Sequence, residues 1–385
     1  MRRYDEKSLL GLRNSKDILK ENGLEILLKK TPELNYPGHL DPSEKAVMLK
    51  NWVSGKNEDS EMMKENTDLE EGKNPYFDPS MSNQEIAEFM RDNMGFANIS
   101  LNTEEIITKY EDIPCEGRKF GLWRYYKRRG KKENRPCLIY YHGGAWIGGS
   151  VYTVENPCKL IAELSDSVVF NVDYALAPEE KFPKGFNDCY EALIHVYNNA
   201  EKYGIDKEKI VVAGDSAGGQ FATAVALRAR NEGLSIIAAQ ILLYPGICMA
   251  KESAEGYEWK ADQYTISDEE KDMITPCLFM GETASYNDDP LASCYLEDLE
   301  EVKNPYVSPW MEKDFSNLPK TVVFTAEFDG LRLQGELYAK KMLDAGIDVN
   351  VIRYCGATHA YLDRLGFVPQ SEDNCIEIAN ILKSI

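Results

Sequence analysis

The chain has 385 residues, 43% of them hydrophobic and 10% aromatic, enough to bury a sizeable core in one large α/β domain with additions or in two domains of ordinary size. Its net charge of -20, from 64 acidic against 44 basic residues, argues against a nucleic-acid or anionic membrane partner. Nine cysteines without a C-x-x-C pair argue against a complete disulfide framework and a four-thiolate zinc site, and the start "MRRYDEKSLLGLRNSKD" lacks the apolar core of a signal peptide, so a soluble, cytoplasmic protein with reduced thiols is expected.

In chain order, "SKDILKENGLEILLKK" (Ser15 to Lys30) and "DPSEKAVMLKNW" (Asp41 to Trp52) read as amphipathic helices, each preceded by a capping-type residue, with Pro32 and Pro37 between them. The stretch from Gly55 to Pro79 is so polar that it reads as a mobile loop. "SNQEIAEFMRDNMG" (Ser82 to Gly95) returns to helix with a glycine stop. Separate helices must lay their apolar stripes on something, and the domain that follows is the natural support.

From about Ile106 the texture changes. "TEEIITKYEDI" and "KFGLWRYYKR" read as antiparallel strands, and the basic run "RYYKRRGKK" as a charged strand edge and turn. Then "PCLIYYHGGAW", "DSVVFNVDYAL", "KIVVAGDS", "IIAAQILLYPG", "KTVVFTAEFDG" and "DVNVIRYCGATH" are short apolar runs of the kind buried on both faces of a sheet. Helical stretches at Pro183 to Tyr203, Ala217 to Arg230 and Leu333 to Ala345 separate several of them. This alternation predicts a mostly parallel central sheet flanked by helices, with functional loops at the carboxyl ends of the strands. The long interval between Tyr244 and Thr321 reads as an insertion covering that end.

Gly214-Asp215-Ser216-Ala217-Gly218 fits G-x-S-x-G between a strand and a helix. The pattern alone is weak, but the context suits a serine raised on a sharp turn, with helix N–H groups aimed at developing negative charge. A phosphate loop would need a lysine that does not follow. Of four histidines, His39 lies in an N-terminal loop and His195 sits mid-helix. His142 precedes two glycines, and His359 follows the last strand, at the edge where Ser216 stands, which makes it the candidate base. Asp329, just past a strand end, is the candidate orienting acid, with Glu327 as its competitor. The order Ser216, Asp329, His359 is that of α/β-hydrolases. The loop His142-Gly143-Gly144-Ala145 lacks side-chain bulk that would keep a substrate from its N–H groups, as an oxyanion hole requires.

These residues resemble the hormone-sensitive-lipase family of α/β-hydrolases, in its bacterial esterase branch, from about Ile106 to the C-terminus. The resemblance rests on "HGGAW" (142–146), "VDYALAPEEKFPKGFNDCYEAL" (172–193), "GDSAGG" (214–219), "NPYVSPW" (304–310), "LPKTVVFTAEFDGLRLQGELYAKKM" (318–342) and "GATHAY" (356–361). It implies an α/β-hydrolase fold with a helical cap, Ser216 as nucleophile, His359 as base and Asp329 as acid. It further implies an oxyanion hole from Ala217 and the loop residues Gly143, Gly144 and Ala145. Ala145 stands where the family usually has a third glycine, which makes Gly144 the firmer donor. By the same resemblance His142 supports the loop, and Asp173 with the "LAPE" turn is scaffold.

The organisation expected is an N-terminal helical region, 1–105, contributing to the cap, and a catalytic domain, 106–385, with a cap insertion at about 247–310. The function expected is hydrolysis of small, short-chain acyl esters with no cofactor and no metal. A homo-oligomer is compatible with it. The competing readings are an amidase or arylformamidase with the same triad, and a catalytically silent ligand-binding protein on the same fold.

Overall fold

The apolar runs that follow Ile106 become strands, and the computed structural model, which describes residues 2–53, 80–281 and 285–385, assembles them into one ten-stranded sheet. The expected mobile loop from Gly55 to Pro79 lies outside the described residues. The strands are β1 (Asp17–Glu21), β2 (Leu24–Lys29), β3 (Ile106–Cys115), β4 (Arg118–Lys127), β5 (Arg135–Tyr141), β6 (Val168–Asp173), β7 (Ile205–Asp215), β8 (Ala239–Leu243), β9 (Lys320–Phe328) and β10 (Val349–Thr358). Their order is β1-β2-β10-β9-β8-β7-β5-β6-β4-β3, parallel from β2 across to β6 and antiparallel at both ends.

The sheet is covered on both faces, which is why its central strands carry no polar face. On β5, Cys137, Ile139 and Tyr141 join the core formed with the helices Lys184–Asn198 and Ala217–Asn231, whereas Leu138 and Tyr140 join the core formed with Glu155–Ser165 and Pro369–Ser384. The chain leaves β5 for β6 on one side, and β7 then takes the other side of β5. The carboxyl ends of β5 and β7 therefore open on one crevice, where such sheets place their ligands.

One expectation is overturned. Ser15 to Lys30 is not a helix but the hairpin β1-β2, so the 1–105 region is not purely helical and adds two strands to the sheet. Its two-residue turn, Asn22-Gly23, has φ of 49° and 76°, the left-handed pair that matches the twist of flanking strands. Leu24, Ile26 and Leu28 alternate inward, and β2 pairs parallel with β10. Lys29 is buried there because Asp373 and Glu377 of the last helix receive its ammonium at 2.6 and 2.5 Å. A second difference concerns the basic run: Arg124 and Lys127 lie in β4, which is paired on both sides, and β3 forms the edge.

The helix Asn83–Asn93 begins on a capping box between Ser82 and Glu85 and gives an Asn83 Nδ2 hydrogen bond to Ser293 O, 2.9 Å, of the helix Pro290–Tyr295. Leu40 from the N-terminal region packs with Tyr264, Ile274 and Leu278 of the insertion against Phe328 at the end of β9. Both irregular regions thus meet at the carboxyl end of the sheet. All nine cysteines are unpaired thiols. Among the described residues no helix is long and apolar enough to cross a membrane.

Candidate active site

The turn after β7 holds Ser216 at φ 54°, ψ -118°, a conformation that costs a non-glycine residue about 1–3 kcal/mol. Ser216 N–H donates to Leu243 O at 2.9 Å, and Ser216 O accepts from Gln220 N and Gly246 N at 3.1 and 3.2 Å. The flanking glycines are demanded by close approach. A Cβ on Gly218 would lie 1.9 Å from Tyr141 O, and one on Gly214 would lie 2.2 Å from Gly218 O. The helix Ala217–Asn231 starts directly after the serine, and the N–H of Ala217 is one of its four amino-terminal donors without an intrahelical partner.

His359 follows β10, and its Nε2 stands 3.0 Å from Ser216 Oγ. Its Nδ1 lies 2.8 Å from Asp329 Oδ2. A carboxylate only accepts, so Nδ1 carries the hydrogen and Nε2 turns its lone pair toward the serine hydroxyl. Asp329 is fully buried, and its other oxygen accepts from Leu331 N at 2.8 Å, so the carboxylate is fixed at both ends. Glu327 is engaged elsewhere: its Oε2 accepts from Gly356 N at 2.7 Å, and burial raises its carboxyl above the usual range. Ser216, His359 and Asp329 are thus joined in one hydrogen-bonded chain, and Glu327 is outside it.

After β5 the chain turns sharply. Gly144 has φ 132°, and its carbonyl accepts from Ile147 N and Gly148 N at 3.0 and 2.8 Å. Ala145 and Trp146 follow at φ 52° and 64°, so the alanine that stands in place of a third glycine adopts the left-handed region all the same, at about 1–2 kcal/mol. Among the described residues, the N–H groups of Gly144 and Ala145 are spent on no hydrogen bond. Gly143 requires a correction. Its N–H donates to Asp215 Oδ1 at 3.0 Å, so it is not free to serve an oxyanion, and Gly143 leaves the set of expected donors. His142 lies under the loop, stacked on Tyr174 with centroids 4.2 Å apart, and burial pushes its imidazole down to about 4. His195 bonds Tyr203 on the helix Lys184–Asn198, and His39 faces Glu270 at 3.8 Å; neither approaches Ser216 by any contact.

Two residues went unread in the sequence. Asp215 receives Tyr140 OH at 2.9 Å as well as Gly143 N, so it pins the glycine loop to the nucleophile turn, and burial raises its carboxyl. Its signal was its place as the one titratable neighbour inside G-D-S-A-G. Trp146 donates Nε1–H to Gln220 Oε1 at 2.9 Å and stacks on Tyr295 at 5.1 Å. A Cβ on Gly246, whose N–H donates to Ser216 O, would lie 3.7 Å from Trp146 Cη2 and 3.9 Å from Leu331 Cδ1, so indole and leucine both border that glycine. Among the described residues no group of His, Cys, Asp and Glu gathers with the arrangement of a metal site.

A family model for the alpha/beta hydrolase fold matches residues 138–363, from the middle of β5 to beyond His359. The chain belongs to the α/β-hydrolase-fold family. Within that family its relatives match the hormone-sensitive-lipase resemblance. An arylesterase of Saccharolobus solfataricus is 33% identical over 255 residues, covering 66% of this chain and 76% of the relative. An arylacetamide deacetylase of Oryctolagus cuniculus is 27% identical over 329 residues, covering 70% and 82%. Among solved structures, a Pyrobaculum calidifontis esterase superposes with a TM-score of 0.65 at 31% identity, covering 80% of this α/β-hydrolase and 94% of the esterase.

Proposed function

We propose that this α/β-hydrolase is a carboxylesterase that cleaves small, short-chain acyl esters through Ser216, His359 and Asp329. The observation that carries the reading is the continuous chain from Ser216 Oγ through both nitrogens of His359 to Asp329. His359 Nε2 takes the hydroxyl proton as Ser216 Oγ attacks the ester carbonyl, and Asp329 stabilises the imidazolium. The oxyanion falls to the N–H groups of Ala217, Gly144 and Ala145. Imidazolium then protonates the leaving alcohol, and a water deprotonated by the same nitrogen releases the acid and restores the Ser216 hydroxyl.

The reading of short acyl groups draws support from Trp146 and Leu331, two bulky side chains that both border Gly246, whose N–H donates to the Ser216 carbonyl. The relative named arylacetamide deacetylase makes amide cleavage the second reading to measure. Ser216→Ala should abolish hydrolysis of p-nitrophenyl acetate and labelling by an active-site phosphonate while the fold is retained. Full hydrolysis by that variant would remove the nucleophile. A wild type that stays folded, hydrolyses nothing and takes no phosphonate would favour the silent ligand-binding protein.

A further inference from the structure

The segment between Gly38 and Lys45 runs across the carboxyl end of the sheet and is fastened on two sides. Toward the insertion, Gly38 O accepts from Ser267 N at 2.8 Å, Leu40 N donates to Glu270 Oε2 at 2.6 Å, and Lys45 pairs with Glu270 at 2.7 Å. Toward the histidine loop, Asp41 N donates to Gly356 O at 2.9 Å. The approach is tight: a Cβ on Gly356 would lie 2.5 Å from Asp41 N. Asp41 also starts the helix Pro42–Val53, accepting from Ser43 N at 2.9 Å. Held this way, the helix turns Glu44 inward, where it has no exposed surface, one turn before the buried Val47.

Glu44 Oε1 receives the backbone N–H of Thr358 at 3.1 Å, the Thr358 hydroxyl and the Arg364 guanidinium. Arg364 in turn donates to Thr358 Oγ1 at 2.8 Å and to the carbonyl of His359 at 3.3 Å. The residue before His359 and the arginine that closes the loop after it are therefore gathered on one carboxylate, and that arginine also holds the His359 carbonyl. A buried carboxylate is retained only where it is paired and hydrogen-bonded, and among the described residues this one bonds only the histidine loop. Its second oxygen, Oε2, is buried with no partner among the described residues.

We infer that Glu44 is a positioning residue for catalysis: by clamping Thr358 and Arg364 it sets where His359 stands between Ser216 and Asp329. The N-terminal segment is then a working part of the site, and the insertion that anchors it through Glu270 is mechanically tied to the imidazole. This rests on the reading of His359 as the base. A displacement of about 1 Å in a catalytic group can lower a rate about a hundredfold, so the clamp acts on turnover rather than on substrate affinity.

The test compares Glu44→Ala, Glu44→Gln and Thr358→Val with wild type and His359→Ala on p-nitrophenyl acetate, with circular dichroism for folding. In Glu44→Ala, kcat should fall at least about tenfold with KM within about twofold. Glu44→Gln should recover most of kcat, because an amide oxygen at the Oε1 position keeps all three donors and its NH2 takes the unpartnered Oε2 position. Thr358→Val, which keeps the shape but removes the hydroxyl that donates to Glu44 and accepts from Arg364, should lower kcat about threefold to tenfold at constant KM. If Glu44→Ala does not fold, the other two variants decide. Folded variants with unchanged kcat, a loss confined to KM, or equal losses in Glu44→Ala and Glu44→Gln would each overturn the inference. An active His359→Ala would instead overturn the reading of the base.

Discussion

His142 gives the acid stability of this protein a specific and measurable part. Its ring is fully buried, Nδ1 lies 2.8 Å from Gly143 O, and Nε2 has no partner among the described residues. The carbonyl can only accept, so the hydrogen sits on Nδ1, and a second proton would have to enter at Nε2 with nothing to receive it. Burial therefore lowers the imidazole from 6.5 to about 4, opposed in part by the Gly143 carbonyl. Between these values the unfolded chain binds the proton and the folded chain does not, so stability rises with pH through that window and is lost as pH falls below 6.5, levelling off below about 4. At 1.36 kcal/mol per pH unit, the loss is about 2 kcal/mol from pH 7 to pH 5 and about 3 kcal/mol by pH 4. The check is urea unfolding of wild type and His142→Asn at each pH, Asn having an amide that can still donate to Gly143 O and no titration of its own. Other groups titrate alike in both chains, so the stability difference between them should shift by about 2 kcal/mol from pH 7 to pH 5 in favour of the variant. A difference constant to about 0.5 kcal/mol would refute the claim that the fold excludes this proton.

Trp146→Ala removes the indole that, with Leu331, borders Gly246. The ratio of kcat/KM for p-nitrophenyl octanoate over acetate should rise about tenfold or more, and an unchanged ratio would place the acyl chain elsewhere. Asp329→Asn should lower kcat by about 10⁴, whereas Glu327→Gln, bound to Gly356 N, should stay within about tenfold of wild type; steady-state kinetics of the two variants side by side separates them.

The strands from β5 to β10 were legible because each holds a short apolar run followed by glycine, proline or a polar turn, and because burial on both faces leaves no other pattern. The hairpin β1-β2 was misread for an identifiable reason. Ile18, Leu19, Leu24, Leu27 and Leu28 satisfy a helical period as well as a strand one, and a run that short does not distinguish them. Asn22-Gly23 was the missing signal, since that dipeptide between alternating hydrophobics favours a two-residue hairpin turn. The parallel pairing of β2 with β10 had no signal at all. It joins residues more than three hundred positions apart, and the buried Lys29 that secures it reads in sequence as an ordinary surface lysine.

The site divides along the same line. Residue type and order point to Ser216, His359 and Asp329, because a nucleophile, a base and an acid at successive strand ends is a pattern of the chain itself. What the chain cannot display is which N–H groups remain free once the loops meet. Gly143 and Gly144 are equivalent by composition, and only contact distinguishes them. Gly218 brings the nucleophile helix so near β5 that a Cβ there would lie 1.9 Å from Tyr141 O and 2.6 Å from His142 O, and Asp215 then reaches across to take the Gly143 N–H. The bond that removes Gly143 as a donor is thus the bond that holds Gly144 and Ala145 beside Ser216. The glycine loop and the nucleophile turn are joined through Asp215, whereas His359, brought from a separate strand on a loop of its own, is the member that requires independent support. Glu44 bonds that loop and, among the described residues, no other part of the site.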